Sequence, residues 1–227
     1  MSQSYTDFSE YPTGDFPNGA DWIGVEDAGE LKITSNGFEG GQALDTISSS
    51  RSVVYWGSKS AADVEVFWRA FGEFNFSSAA CLPMLRLTEV DPETSSFSAY
   101  TAIYDEGTGD LVVGIYGFDI GSWTTTSYLA WSAKTLDTSD GLQFRFRAHG
   151  NELSAKVWEV GESEPGAWDV QTTDDDLTSG KTGYFFENDN HTLDVFGVGT
   201  GGVQAPMLPV GKTVDLSWSL SPDDPSV

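Results

Sequence analysis

Basic side chains are scarce in this sequence. Lys and Arg together number 11 among 227 residues, against 35 Asp and Glu, which gives a formal net charge of −24 at pH 7. Affinity for nucleic acid comes mostly from Lys and Arg that neutralise phosphates, and anionic membranes attract proteins in the same way. The composition therefore argues against nucleic-acid and membrane-surface binding. No apolar run is long enough to predict a transmembrane helix, so we expect no membrane insertion.

Cysteine and histidine are almost absent. Cys81 is the only cysteine, which excludes a disulfide framework and a cysteine-based metal site. The two histidines, His149 and His191, both stand beside turn residues, and no Ser/His/Asp motif accompanies them. The amino terminus is polar and acidic and lacks a signal-peptide pattern, so we expect synthesis in the cytoplasm.

The acidic side chains are spread evenly along the chain. They run from Asp7 to Asp224, and the one short block is 174–176. Such a spread predicts an acidic surface over the whole fold, which repels itself at low salt and is screened at molar salt. This favours a protein of a halophile, and an ordinary acidic surface is the alternative.

The hydrophobic pattern has the period of β-strands. Short segments rich in β-branched and aromatic residues recur, several of them alternating apolar with polar side chains, at 64–71, 111–116, 142–148, 153–158 and 193–198. Turns rich in Gly and Asp separate them, and no window has a helical period. The pattern predicts an all-β fold, an antiparallel sandwich or barrel.

The composition changes near Thr200. Residues 201–211 are rich in Gly and Pro, and residues 212–221 then alternate as one further strand. We therefore place a domain over residues 1–200 and a short C-terminal extension, a linker plus a strand, over residues 201–227.

Four stretches carry a family resemblance, namely 8–22, 97–104, 140–158 and 179–186. Together they resemble the concanavalin A-like lectin/glucanase jelly roll, which includes laminin-G-like domains, over about residues 5–200. The resemblance implies two packed antiparallel sheets. Residues 214–227 are similar to an early strand of a fibronectin type III domain. A whole such domain needs about 100 residues, so this segment is either a remnant or an arm that docks elsewhere.

The resembled family includes glycoside hydrolases, which need two carboxylates about 5–9 Å apart. The run from Glu89 to Glu93 resembles the Glu-x-Asp-x-Glu signature of laminarinase-like members. However, Pro92 lies inside it, and proline cannot donate to a central ladder. The run therefore predicts a hairpin turn, and we expect the protein not to be an enzyme.

The resemblance also implies a structural calcium ion between the N-terminal segment and the last strand. The matching positions in this sequence are Asp7 and Asp194. Carboxylate and carbonyl oxygens are the ligands that calcium prefers. The alternative is that Asp194 is an exposed residue of an alternating strand.

Aromatic side chains are plentiful, with eight Trp and eight Tyr. Three tryptophans fall on core-like strand positions and are expected to be buried: Trp22, Trp68 and Trp158. The Ser/Thr-rich stretch 121–131 instead suggests a platform on which sugars stack, formed by Trp123, Tyr128 and Trp131.

Two functions from different classes remain open. The first is a non-enzymatic structural or surface module of a halophilic virus, in a tail, fibre or capsid decoration. Such a module would assemble with itself as a homo-oligomer or with other virion proteins, and would contact host envelope glycans. The charge, the N-terminus and the strand after Gly201 favour it. The alternative is an extracellular carbohydrate-binding module of a larger cell-surface adhesin or glycan-degrading protein.

Overall fold

The computed structural model describes residues 2–16, 19, 22–26, 31–46, 51–74, 81–91, 96–119, 122–187 and 191–207. Among these residues, no helix is long and apolar enough to cross a membrane. The predicted strand at 212–221 lies outside the described residues.

The described chain forms sixteen strands and one short 3-10 helix, Phe38–Gly40. In chain order the strands are β1 Ser2–Thr6, β2 Gly14–Asp15, β3 Trp22–Glu26, β4 Leu31–Thr34, β5 Ala43–Thr46, β6 Arg51–Ala61, β7 Val64–Gly72, β8 Cys81–Asp91, β9 Ser96–Asp105, β10 Asp110–Asp119, β11 Ser122–Ala133, β12 Leu142–His149, β13 Glu152–Glu159, β14 Val170–Thr173, β15 Gly180–Glu187 and β16 His191–Thr200.

The strands form two sheets. Sheet A has the order β14-β13-β12-β7-β16-β5-β4-β2, and β1 pairs with a further part of β16. Sheet B has the order β11-β10-β9-β8-β15-β6-β3. The two sheets pack face to face and all described pairings are antiparallel, which confirms the predicted all-β, antiparallel β-sandwich of jelly-roll type.

Strand β12 shows how the sequence pattern produces the two layers. Phe144 and Phe146 point into the core between the sheets, whereas Arg145 and Arg147 alternate with them on the outer face of sheet A. Side chains two residues apart on a strand share a face, so a single alternating segment supplies both a core layer and a charged outer layer.

Aromatic rings fill much of the space between the sheets. Trp68 of β7 stacks on Phe144 with ring centroids 4.5 Å apart, and Trp22 of β3 stacks on Trp56 at 5.3 Å. Trp22 and Trp68 are buried in this core, as predicted. Trp158 is also buried, but it lies in a small separate cluster with Phe67.

Arg86 of β8 forms hydrogen bonds with three loops at the end of the sandwich. It has a left-handed backbone (φ 52°), and its side chain is almost fully buried beside the ring of Tyr100. The guanidinium donates hydrogen bonds to the carbonyls of Ala62 (2.7 Å), Gly150 (2.6 Å) and Leu177 (2.8 Å). A buried arginine is tolerated when its donors are satisfied in this way.

The turn predicted over the run from Glu89 to Glu93 is corrected at its start, because Glu89, Val90 and Asp91 still belong to strand β8. β8 ends at Asp91, β9 begins at Ser96, and the two strands are antiparallel neighbours. Residues 92–95, and the side chain of Glu89, lie outside the described part of the structure.

Candidate functional site

Two predicted platform residues lie on the edge strand of sheet B. In the register of β10 with β11, Trp131 faces Val112 and Tyr128 faces Gly114. Paired residues of an antiparallel ladder project to the same face. Because Val112 packs on the outer side of sheet B, both aromatic residues also project from that outer side.

A bulge brings these two rings into neighbouring positions. The register shifts between Val113 and Gly114, so that Leu129 is the extra residue on β11. The cross-strand partners of Tyr128 and Trp131 are consequently two residues apart on β10, about 6.6 Å along a strand. The structure therefore brings Tyr128 and Trp131 together on one surface.

Both rings are exposed, unlike most aromatic side chains of the described chain. Trp131 is 68% exposed and Tyr128 is 55% exposed, whereas Trp22, Trp68 and Tyr100 are buried. A large ring left in water on a sheet face is an informative exception, because aromatic rings otherwise supply core area. The third predicted platform residue, Trp123, pairs with Phe118 in the ladder, and its side chain lies outside the described part.

The outer face of sheet A is covered by two chain segments. Residues 160–169 follow β13, and residues 201–207, which begin the predicted linker, follow β16 and fold back over it. Gly199 permits the second approach, because a β-carbon at this position would clash with the carbonyl of Val203. Ala205 is buried there together with Trp158.

Arg145 joins both covering segments to the sheet. Its Nη1 donates to Glu65 Oε1 (2.6 Å) and to the carbonyl of Ala205 (2.8 Å). Its Nε and Nη2 donate to the two carboxylate oxygens of Glu164 at 2.8 and 2.9 Å. Glu65 also accepts the N–H of Ala205 at 3.0 Å. The arginine is 2% exposed, so this network is a buried one with its donors paired.

Glu164 is held by a second cation. Lys156 Nζ lies 2.6 Å from Glu164 Oε1 and donates to the carbonyl of Pro165 at 2.6 Å. Burial alone would raise the pKa of Glu164, but the hydrogen bonds and charges of Arg145 and Lys156 together outweigh it and lower that pKa. The carboxylate of Glu164 is therefore ionised in the folded protein at neutral pH.

A cavity of about 470 Å³ remains between sheet A and the two covering segments. Its walls include the Trp168 ring and the side chains of Arg147, His149, Asp63 and Gln204. The guanidinium of Arg147 lies 4.8 Å from the Trp168 ring centroid, and His149 Nδ1 lies 3.5 Å from an Asp63 oxygen.

The residues of this cavity were not among those predicted to form a site. A signal was present, since two of the five arginines of the chain, Arg145 and Arg147, alternate on one strand and must share a face. The pattern did not predict that residues 201–207 fold back onto that face.

The predicted calcium positions have other partners. Asp194 accepts the N–H of Phe38 at 2.9 Å and forms an ion pair with Arg69, and Asp7 accepts both the N–H and the hydroxyl of Ser9. Burial raises the pKa of Asp194, the charge of Asp7 adds to the rise, and Arg69 and the Phe38 N–H oppose it.

This geometry does not fit a calcium ligand set. Calcium takes six to eight oxygen ligands, and among the described side chains no three His, Cys, Asp or Glu come together as a metal site. Asp194 is buried, which is contrary to the exposed alternative, and Arg69 serves as its counter-ion. A structural calcium ion stays a prediction. The side chains of Asp7 and Asp194 do not form a ligand set for it.

No protein-family model matches the sequence, and no curated protein matches it either. Solved structures do resemble the fold. The carbohydrate binding module CBM66 from Bacillus subtilis superposes with a TM-score of 0.52 at 15% identity, covering 80% of this chain and 96% of the module. A Bacillus subtilis protein of unknown function with a galectin-like fold gives 0.55 at 13% identity, covering 78% and 88%. The chain therefore has a galectin-like, concanavalin A-like sandwich fold.

Proposed function

We propose that this chain is a carbohydrate-binding module that holds glycans on Tyr128 and Trp131. The observation that carries the proposal is the exposure of two neighbouring aromatic rings on the outer face of sheet B. Support also comes from the fold, which the chain shares with a carbohydrate binding module. A fold alone does not determine a function, so the proposal depends mainly on the two exposed rings.

Sugar rings present apolar C–H faces that pack on aromatic rings. An aromatic side chain offers 150–250 Å² of surface, so one face of Trp131 covers roughly 60–80 Å². At about 25 cal/mol per Å², this contact contributes about 1.5–2 kcal/mol, or roughly a ten- to thirty-fold gain in affinity. Stacking does not depend on long-range charge, so it also suits the salt-screened, acidic surface that the net charge of −24 predicts.

The setting of the module is a further part of the proposal. We propose an extracellular module within an adhesin or a glycan-degrading protein, and the exposed rings support this setting. The role in a virion surface or tail, the homo-oligomer and the absence of enzymatic activity stay predictions.

The test is a panel of cello-, xylo-, manno- and chito-oligosaccharides titrated calorimetrically in 1 M KCl. We expect saturable binding of at least one of them, and a loss of at least ten-fold in Trp131→Ala and in Tyr128→Ala. The matched control is Tyr5→Ala, because Tyr5 is 51% exposed but lies on sheet A, and its affinity should equal that of the wild type. Equal binding by a Tyr128→Ala/Trp131→Ala double variant would overturn the proposal.

A further inference from the structure

We propose that the cavity beside Arg147 and Trp168 is a second ligand site, which binds the carboxylate of an acidic sugar residue such as a uronic acid. The cavity lies on the outer face of sheet A, on the opposite side of the sandwich from Tyr128 and Trp131. It therefore goes beyond the proposed platform in both place and chemistry.

The cavity brings several basic side chains together with two carboxylates, those of Asp63 and Glu65. Three of the 11 basic residues line it, namely Arg145, Arg147 and Lys156. Each of these three cations needs a negatively charged partner, and the chain has 35 acidic residues that could supply one.

Two of these cations are already neutralised by the protein. Arg145 pairs with Glu65 and Glu164, and Lys156 pairs with Glu164. Arg147 differs from both. Within the described part of the chain, its guanidinium contacts no carboxylate at ion-pair distance and its Nε is buried without a hydrogen-bond partner. The cavity thus contains one cation with unused donors.

The guanidinium of Arg147 is held in a defined place. It lies over the Trp168 ring at 4.8 Å, while Lys156 also lies over that ring at 4.9 Å. A stacked guanidinium loses less side-chain entropy when it binds a ligand, because its plane is already fixed. Its planar fork of N–H donors matches a carboxylate in a bidentate pair.

The remaining walls suit the hydroxyls of a sugar ring. Asp63 and Gln204 offer acceptor oxygens, and Gln204 and His149 offer donors. A volume of about 470 Å³ falls within the range of about 300–1,000 Å³ that is typical of small-molecule sites. A monosaccharide unit with one carboxylate therefore matches the cavity in size, charge and hydrogen-bonding groups.

The test compares methyl glucuronide with methyl glucoside, which differ at the carboxylate, by NMR titration of the whole chain in 1 M KCl. We expect the glucuronide to bind about ten-fold more tightly and to shift the Trp168 indole signal, since charge-assisted hydrogen bonds are the stronger ones. Arg147→Gln should abolish the preference. Arg147→Lys, which retains the charge without the fork, should retain part of it.

The outcome is separable from that of the platform. A Tyr128→Ala/Trp131→Ala variant should keep its preference for the glucuronide, so the second site can stand or fail alone. Equal affinities for the two sugars, or an unchanged preference in Arg147→Gln with an unchanged melting curve, would overturn the assignment. Tighter binding of a sulfated glucoside than of the glucuronide would overturn the carboxylate chemistry.

Discussion

Replacing Arg145 by Met should destabilise the domain strongly. The side chain is 2% exposed and joins β12 to Glu65, Glu164 and the carbonyl of Ala205. Methionine removes the guanidinium but keeps much of the apolar stem, so the change tests the charge and its hydrogen bonds. Glu65 then loses its cation and keeps the Ala205 N–H, while Glu164 keeps Lys156 and the Ala205 carbonyl loses the arginine donor.

Removing one partner of a buried ion pair costs about 3–5 kcal/mol, because the other charge stays buried without compensation. For a domain of 150–250 residues, each kcal/mol lowers the melting temperature by about 2–4 °C. We therefore expect Arg145→Met to melt about 6–20 °C below the wild type. Buried pairs are screened little by salt, so the difference should persist in 1 M KCl.

The neighbouring arginine on the same face provides the control. Arg147 makes no ion pair within the described structure, and its stacking on Trp168 is worth about 0.5–1 kcal/mol. Arg147→Met should thus melt within about 4 °C of the wild type. Differential scanning calorimetry of both variants decides the matter. Equal losses in the two variants would show that the network with Glu65 and Glu164 stabilises the fold no more than any other arginine on this face does.

Three further predictions concern pH, a buried phenol and salt. Because the pKa of Glu164 is lowered on folding, its contribution to stability is complete above its unfolded pKa of about 4.3 and is lost as the pH falls through the folded pKa. Urea denaturation between pH 6 and pH 3 should therefore show a weaker pH dependence in Glu164→Gln, and an identical slope would contradict this. Burial and the hydrogen bond to Asp174 raise the pKa of Tyr100 to about 12, and its hydroxyl also accepts the Leu177 N–H. Tyr100→Phe should accordingly lower the free energy of unfolding by about 1–3 kcal/mol in denaturant titrations. An unchanged free energy of unfolding would contradict this. Raising KCl from 0.1 M to 1 M should increase the melting temperature, because the screening length falls from about 10 Å to about 3 Å, and a decrease would argue against self-repulsion of the acidic surface.

The sequence pattern predicted the sandwich because alternation is a local property. Each residue of 142–148 is directed inward or outward by its own place in the strand, so Phe144 and Phe146 could be assigned to the core in advance. The exposure of two of the proposed platform residues has a similarly local basis. Tyr128 and Trp131 stand in a Ser/Thr-rich strand that offers few other apolar groups, so their exposure agrees with the local composition.

The cavity and the Asp194 pair could not be predicted in this way, because they depend on long-range contacts. Arg145 and Ala205 are 60 positions apart, and Arg69 and Asp194 are 125 apart. Nothing in the local pattern of either segment specifies these partners. The calcium expectation came from a family resemblance, whereas this chain places an arginine against the carboxylate.

The most direct test of the central claim is an NMR titration of the Trp131 indole N–H with the neutral oligosaccharide that binds best in the calorimetric panel. If glycans stack on Trp131, its signal should shift saturably with the calorimetric affinity, and the signals of the buried Trp22 and Trp68 should not shift. Saturable binding that leaves the Trp131 signal unmoved would contradict this stacking.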